Sequence, residues 1–130
     1  MGTEVSVYLW SDDPEVGRLA LEEVFDEAAR IDRLMSTYKD ESEISKINRE
    51  AASEPVATGG ELFGLIQRSL DISVLTRGAF DITYDSVGQH YDFRSRQRPD
   101  AGTVEQERSN IDYRLVKLDR AAGTVSFAKE

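Results

Sequence analysis

Between Glu15 and Ser36 the apolar residues Leu21, Val24, Phe25, Ala28, Ile31 and Met35 recur at three- and four-residue steps. Glu22, Glu23, Asp26, Glu27, Arg30 and Arg33 fill the positions between them. This spacing puts a greasy stripe and a charged stripe on opposite faces of a helix of several turns. An isolated amphipathic helix gains little, so the remaining chain must supply a surface to cover the stripe. Phe25 and Met35 are read as core on this account. The start of the helix is also marked. Asp12 or Asp13 can cap the free amides, and Pro14 suits the first turn because its missing N–H would have no partner there.

On either side the pattern changes period. Thr3 to Trp10 alternates, with Val5, Val7 and Leu9 on one face, and predicts a half-buried strand. Glu41 to Arg49 carries Ile44 and Ile47 and predicts a short helix that Ser42 can cap, laid against the first. Ala51 to Thr58 reads as loop with a brief extended piece at Pro55-Val56-Ala57. Thr58 is placed to cap a third helix, with Glu61 completing a capping box. Leu62, Leu65, Ile66, Leu70 and Ser73-Val74 form its expected buried face, and Gly78 its stop.

Phe80 to Tyr84 is predicted as a short strand and Gly88 to Pro99 as a surface loop dotted with Tyr91, Phe93 and arginines. Thr103 to Ser109 reads as a helical turn or two. Tyr113–Leu118 and Thr124–Ala128 then predict a hairpin across Asp119 to Gly123. The fold class expected is α+β, with helices on one face of a largely antiparallel sheet. At 130 residues, a single domain over 1–130 is expected.

Composition narrows the function. A formal charge of −9 disfavours nucleic acid and anionic membrane surfaces, both of which call for a basic face. With no cysteine and one histidine there is no thiolate nucleophile and no histidine-rich metal site. Met1-Gly2-Thr3-Glu4-Val5-Ser6 fits a myristoylation pattern, but the strand reading of Val5, Val7 and Leu9 takes precedence. His90 lacks a nucleophile elbow and reads as an exposed loop residue.

Among candidates for chemistry, Asp81 and Asp85 lie four apart and meet only if the segment is helical. Gly59-Gly60 is explained by helix entry, since neither a P-loop lysine nor a G-x-G-x-x-G accompanies it. Arg77-Gly78-Ala79-Phe80-Asp81 offers more. Its glycine permits positive φ, and its alanine and aromatic let a backbone pass close to a flat ligand. Asp81 can then accept a hydrogen bond from an exocyclic amine, although a helix stop before a core phenylalanine explains the same residues. Tyr38 is open to two readings, a ring half-buried under a helix junction or an exposed ring that stacks on an aromatic ligand.

Three motifs occur in order: Met1-Gly2-Thr3, then Ser36-Thr37-Tyr38 with Ser42-Glu43-Ile44-Ser45 and Asn48, then Gly78-Ala79-Phe80-Asp81-Ile82-Thr83. Together they resemble the ApbE family of flavin transferases. The resemblance implies FAD as substrate, with Met1, Tyr38, Ala79, Phe80 and Asp81 contacting it. It also implies magnesium and phosphoryl transfer of FMN to a serine or threonine hydroxyl of an acceptor flavoprotein, with release of AMP. After Thr83 this sequence departs from the family's Gly-Pro-Leu-like turn and runs Tyr84-Asp85-Ser86-Val87-Gly88. The family's later aspartate- and threonine-bearing metal segments are not found, so the expected magnesium ligands lie outside this chain, no catalytic residue is assigned, and the chain alone is expected to be inactive. The alternative is a non-catalytic module that binds FAD or assembles with another chain, including a second copy of itself. The resemblance leans towards the bacterial cell envelope, whereas the start on Met1-Gly2-Thr3 without the family's leader leans towards the cytoplasm, and both stay open.

Overall fold

A computed structural model describes residues 4–92 and 95–128. Met1-Gly2-Thr3 and Phe93, which the sequence singles out, lie outside the described residues. The chain divides into two compact units, Met1–Arg49 and Glu50–Glu130.

Unit one is built on helix α1 (Pro14–Met35) and helix α2 (Glu43–Glu50), which reaches the unit boundary. Asp13 is the cap of α1, its Oδ1 accepting from the amides of Glu15 at 2.9 Å and Val16 at 3.4 Å, and Pro14 opens the first turn. Gly17 is the buried residue of this helix, because the preceding segment folds back onto it. A Cβ at position 17 would meet the Ser11 Cβ at 3.3 Å, tighter than most side chains tolerate. The charged stripe is laced by Glu15–Arg18–Glu22 and Glu27–Arg30 pairs.

The opposite stripe is less covered than its periodicity predicts. Leu21, Ala28, Ile31 and Met35 are half-buried, whereas Val24 is exposed and Phe25 remains 49% exposed, so Phe25 is not core. Residues 4–10 correct a second expectation. They form no strand, and Tyr8, Leu9 and Trp10 are exposed, Trp10 at 88%. Alternation assigns faces to a strand, but a strand forms only where another backbone takes up its amides and carbonyls.

The link from α1 to α2 is held by serines. Ser42 Oγ donates to the Ser36 carbonyl at 2.7 Å and accepts from the Ser45 amide at 3.1 Å, which makes it the cap expected for α2. Ser36, Ser42 and Ser45 are all buried. Lys39 Nζ closes the link from outside, 2.6 Å from Asp32 Oδ2.

Unit two holds a three-stranded antiparallel sheet of β1 (Val56–Ala57), β2 (Val116–Asp119) and β3 (Thr124–Phe127), in the order β1-β3-β2. Val125, at the centre, is opposite Val56 on one side and Leu118 on the other and is 0% exposed. The β2–β3 turn forms because Asp119 Oδ1 accepts from the amides of Ala121 and Ala122, and Gly123 takes a positive φ of 63°. The helices are α3 (Gly60–Leu75), α4 (Asp85–Gly88) and α5 (Ala101–Glu107). Leu62, Ile66, Val87, Val116 and Val125 form the buried core, with Ala51 and Val56.

Helix α3 is capped at Gly59, one residue later than the predicted Thr58, and a glycine has no side chain to bond the end amides. On its expected buried face Leu62, Ile66 and Ser73 are buried, but Leu65 and Val74 are exposed. The strand predicted over Phe80–Tyr84 is a 3₁₀ turn, Ile82–Tyr84, that runs into α4. The Asp81 side chain caps that turn, and this local bond outcompetes an extended backbone.

Candidate functional site

The site is set by how α3 ends. Thr76 is its C-cap, and the amides of Gly78 and Arg77 bond back to the carbonyls of Ser73 at 2.8 Å and Val74 at 3.1 Å. These are the two bonds of a Schellman motif, which needs a left-handed residue just past the cap. Here that residue is Arg77, at φ 55°, and Gly78 follows at φ 83°. A non-glycine residue in this region stores about 1–3 kcal/mol of strain. The Thr76 hydroxyl holds the strained corner by donating to the Ile72 carbonyl at 2.9 Å and accepting from the Phe80 amide at 3.1 Å. The turn thus projects Ala79 and Phe80 outward. Ala79 is exposed, and the Phe80 ring is 42% exposed.

Asp81 turns the chain back. Its Oδ1 accepts from the Thr83 amide at 2.9 Å and the Thr83 hydroxyl at 2.7 Å, and its Oδ2 accepts from the Tyr113 amide at 2.9 Å. Beside it Arg77, Gly78, Asp81, Ile111, Asp112, Tyr113 and Arg114 line an open cleft of about 320 Å³. The Arg114 guanidinium forks onto Asp112, with contacts of 2.7 and 2.6 Å, and holds that carboxyl below its usual range. A cradled acid and base at one wall therefore cancel, leaving a polar cleft without a strong net field.

The structure brings Ala79, Phe80 and Asp81 together on one turn beside this cleft. Tyr38 belongs to unit one and is 86% exposed, so its reading as a half-buried ring is not met. Met1 lies outside the described residues. Asp85 opens α4 and is exposed, as is His90. Sequence reasoning missed the wall Ile111 to Arg114. Its signal was present at Asp112, which caps the Tyr113–Leu115 turn just as Asp81 caps Ile82–Tyr84.

Among the described residues no cluster of three or more His, Cys, Asp or Glu side chains is placed to hold a metal ion. The exposed rings of Tyr38, in the first unit, and of Phe80, in the second, are each able to stack on a flat aromatic group while staying partly wet.

The model of the ApbE family matches residues 1–130. This chain belongs to the ApbE family. It is 33% identical over 93 residues to the FAD:protein FMN transferase of Vibrio cholerae, a match over 72% of this chain and 25% of that protein. With the FAD:protein FMN transferase of Treponema pallidum it shares 27% over 121 residues, covering 91% and 33% respectively. In fold it is similar to the crystal structure of an ApbE protein from Thermotoga maritima, with a TM-score of 0.76 at 24% identity over 85% of this chain and 37% of that one. The α+β class is shared with that ApbE structure. The chain spans about a quarter to a third of the length of the curated relatives it matches.

Proposed function

We propose that this chain supplies the flavin-contacting part of an FAD:protein FMN transferase. The match to the ApbE family over residues 1–130 carries the reading. In the reaction an acceptor serine or threonine hydroxyl attacks the FMN phosphorus of FAD. The new O–P bond forms as the bond to the AMP phosphate breaks; the hydroxyl proton passes to solvent and AMP leaves. Catalysis of this kind rests on positioning and charge neutralisation more than on covalent chemistry. The residues assigned to FAD are Met1, Tyr38 and the turn Ala79-Phe80-Asp81, with Tyr38 and Phe80 offering ring faces. Magnesium would neutralise phosphate charge in the family's chemistry, held by residues outside this set. The chain on its own accordingly binds FAD weakly and does not flavinylate an acceptor.

Fluorescence quenching tests the assignment. FAD binding is expected to weaken by about five- to 150-fold in Tyr38→Ala, since aromatic stacking contributes about 1–3 kcal/mol per base. Equal affinity of the variant and the parent chain would remove Tyr38 from the site.

A further inference from the structure

We infer that Arg49 is a positioning residue for Tyr38, holding the turn between α1 and α2 so that the exposed ring is presented in place. The inference rests on the flavin reading of Tyr38 for its ligand and on the geometry of unit one for the rest. The Tyr38 ring is exposed, and among the described residues nothing bonds its hydroxyl. Its placement therefore depends on the backbone that carries it. That backbone is tied on two sides. Lys39, the next residue, reaches α1 through its 2.6 Å pair with Asp32. Asp40, the one after, is tied to α2, where Arg49 Nη1 in the last turn donates to its carbonyl at 2.6 Å. Two consecutive residues are thus drawn towards two different helices, and the turn is braced between them. Inside the brace the Lys39 amide donates to the Ser36 carbonyl at 3.2 Å, and the Ser42 amide to the Lys39 carbonyl at 3.1 Å. Such bonds in an exposed turn open readily unless the turn is held. An arginine suits the task, because its long stem carries a fork of charged donors that here reaches back nine positions. A bond from a charged donor is also stronger than one between neutral groups. Bracing bears on binding because a loop that is ordered only when the ligand arrives loses part of the interaction to that ordering.

Arg49→Ala removes the tether to α2 and leaves Tyr38, Lys39 and Asp32 as they are. Amide exchange by NMR in the ligand-free chain is expected to show Lys39 and Ser42 exchanging about three- to tenfold faster. The Ser45 amide, which bonds to Ser42 Oγ at the start of α2, should keep its parent rate. FAD affinity should fall by about three- to tenfold, since the ring and its turn are then ordered only on binding. A double-mutant cycle with Tyr38→Ala shows whether this loss passes through the ring. Adding Arg49→Ala to Tyr38→Ala should weaken FAD binding no further.

Parent exchange rates at Lys39 and Ser42 in Arg49→Ala overturn the brace. Exchange at Ser45 that speeds up equally does the same, because α2 would then be fraying as a whole. An additive cycle also overturns the inference, since the guanidinium would then act on the ligand and not through Tyr38. If the parent chain does not bind FAD, or Tyr38→Ala binds it as well as the parent, the flavin reading fails by itself and the exchange data alone decide whether Arg49 holds the turn. Arg49→Gln, which keeps a donor but not the reach, carries the test should Arg49→Ala not fold.

Discussion

Residues 4–10 and the β2–β3 hairpin carry the same sequence signal and meet opposite fates. Val5, Val7 and Leu9 alternate as cleanly as Val116 and Leu118 or Val125 and Phe127. In the hairpin, Asp119 and Gly123 bring two backbones side by side, and Val125 ends fully buried between Val56 and Leu118. The first segment has no turn to deliver a neighbour, forms no strand, and leaves Val5 and Leu9 exposed. A period of two therefore states which face is apolar; a turn or a partner decides whether that face is used.

A charge placed in each segment should show the difference most strongly. Val125→Asp buries a carboxylate with no partner at the centre of the sheet, and the cost of several kcal/mol should leave unit two unfolded at room temperature. Val5→Asp in the unpaired segment should shift stability by no more than about 0.5 kcal/mol. Urea denaturation of both variants checks the pair. A large loss in Val5→Asp would mean that residues 4–10 are held by contacts as strong as a ladder.

What was legible in the sequence was what depends on near neighbours. Asp13 with Pro14, Ser42 before α2, Gly78 after α3 and the Asp119–Gly123 turn each act within a few positions, and each stands where it was expected. The α+β class follows from them. Burial was less legible, because it depends on what arrives from elsewhere. Phe25 and Val24 hold correct helical spacing yet face solvent, and Leu65 does the same on α3. At the site, the Gly78 corner was readable from one glycine. The bond from Asp81 to Tyr113 was not, since nothing in either local sequence specifies a partner 32 residues away. Asp81 also outweighed the strand pattern of Phe80–Tyr84 by capping a turn.

The serines between α1 and α2 extend the comparison, since that link buries hydroxyls where the sheet of unit two buries valines. Ser42 makes two bonds, one as a cap and one to the Ser36 carbonyl. Ser42→Ala should cost about 0.5–2 kcal/mol, the usual range for a lost N-cap. Ser36 Oγ is buried and finds no hydrogen-bond partner among the described residues. Ser36→Ala therefore removes an unsatisfied polar atom and should be neutral or slightly stabilising. Thermal melts of the two variants should move in different directions, and equal losses would show that the Ser36 hydroxyl has work that its surroundings do not reveal.

The smallest effect is expected where charge alone closes the same link. Lys39 hydrogen-bonds Asp32 and holds its carboxyl well below the ordinary range. A carboxyl whose pKa is lowered by folding adds stability that is complete above its unfolded value of about 3.9. That contribution drains away as pH falls through the lower folded value. Lys39→Met should thus melt slightly below the parent chain at pH 7, with the gap closing as the pH drops below about 4. It should also narrow in high salt, because the Lys39 side chain is partly exposed and screened. A gap that persists unchanged in acid would mean that the methylenes of Lys39, and not its charge, hold the link. Apolar contact would then be at work at a junction otherwise built from hydroxyls, and the contrast between the two units would be weaker than their buried residues suggest.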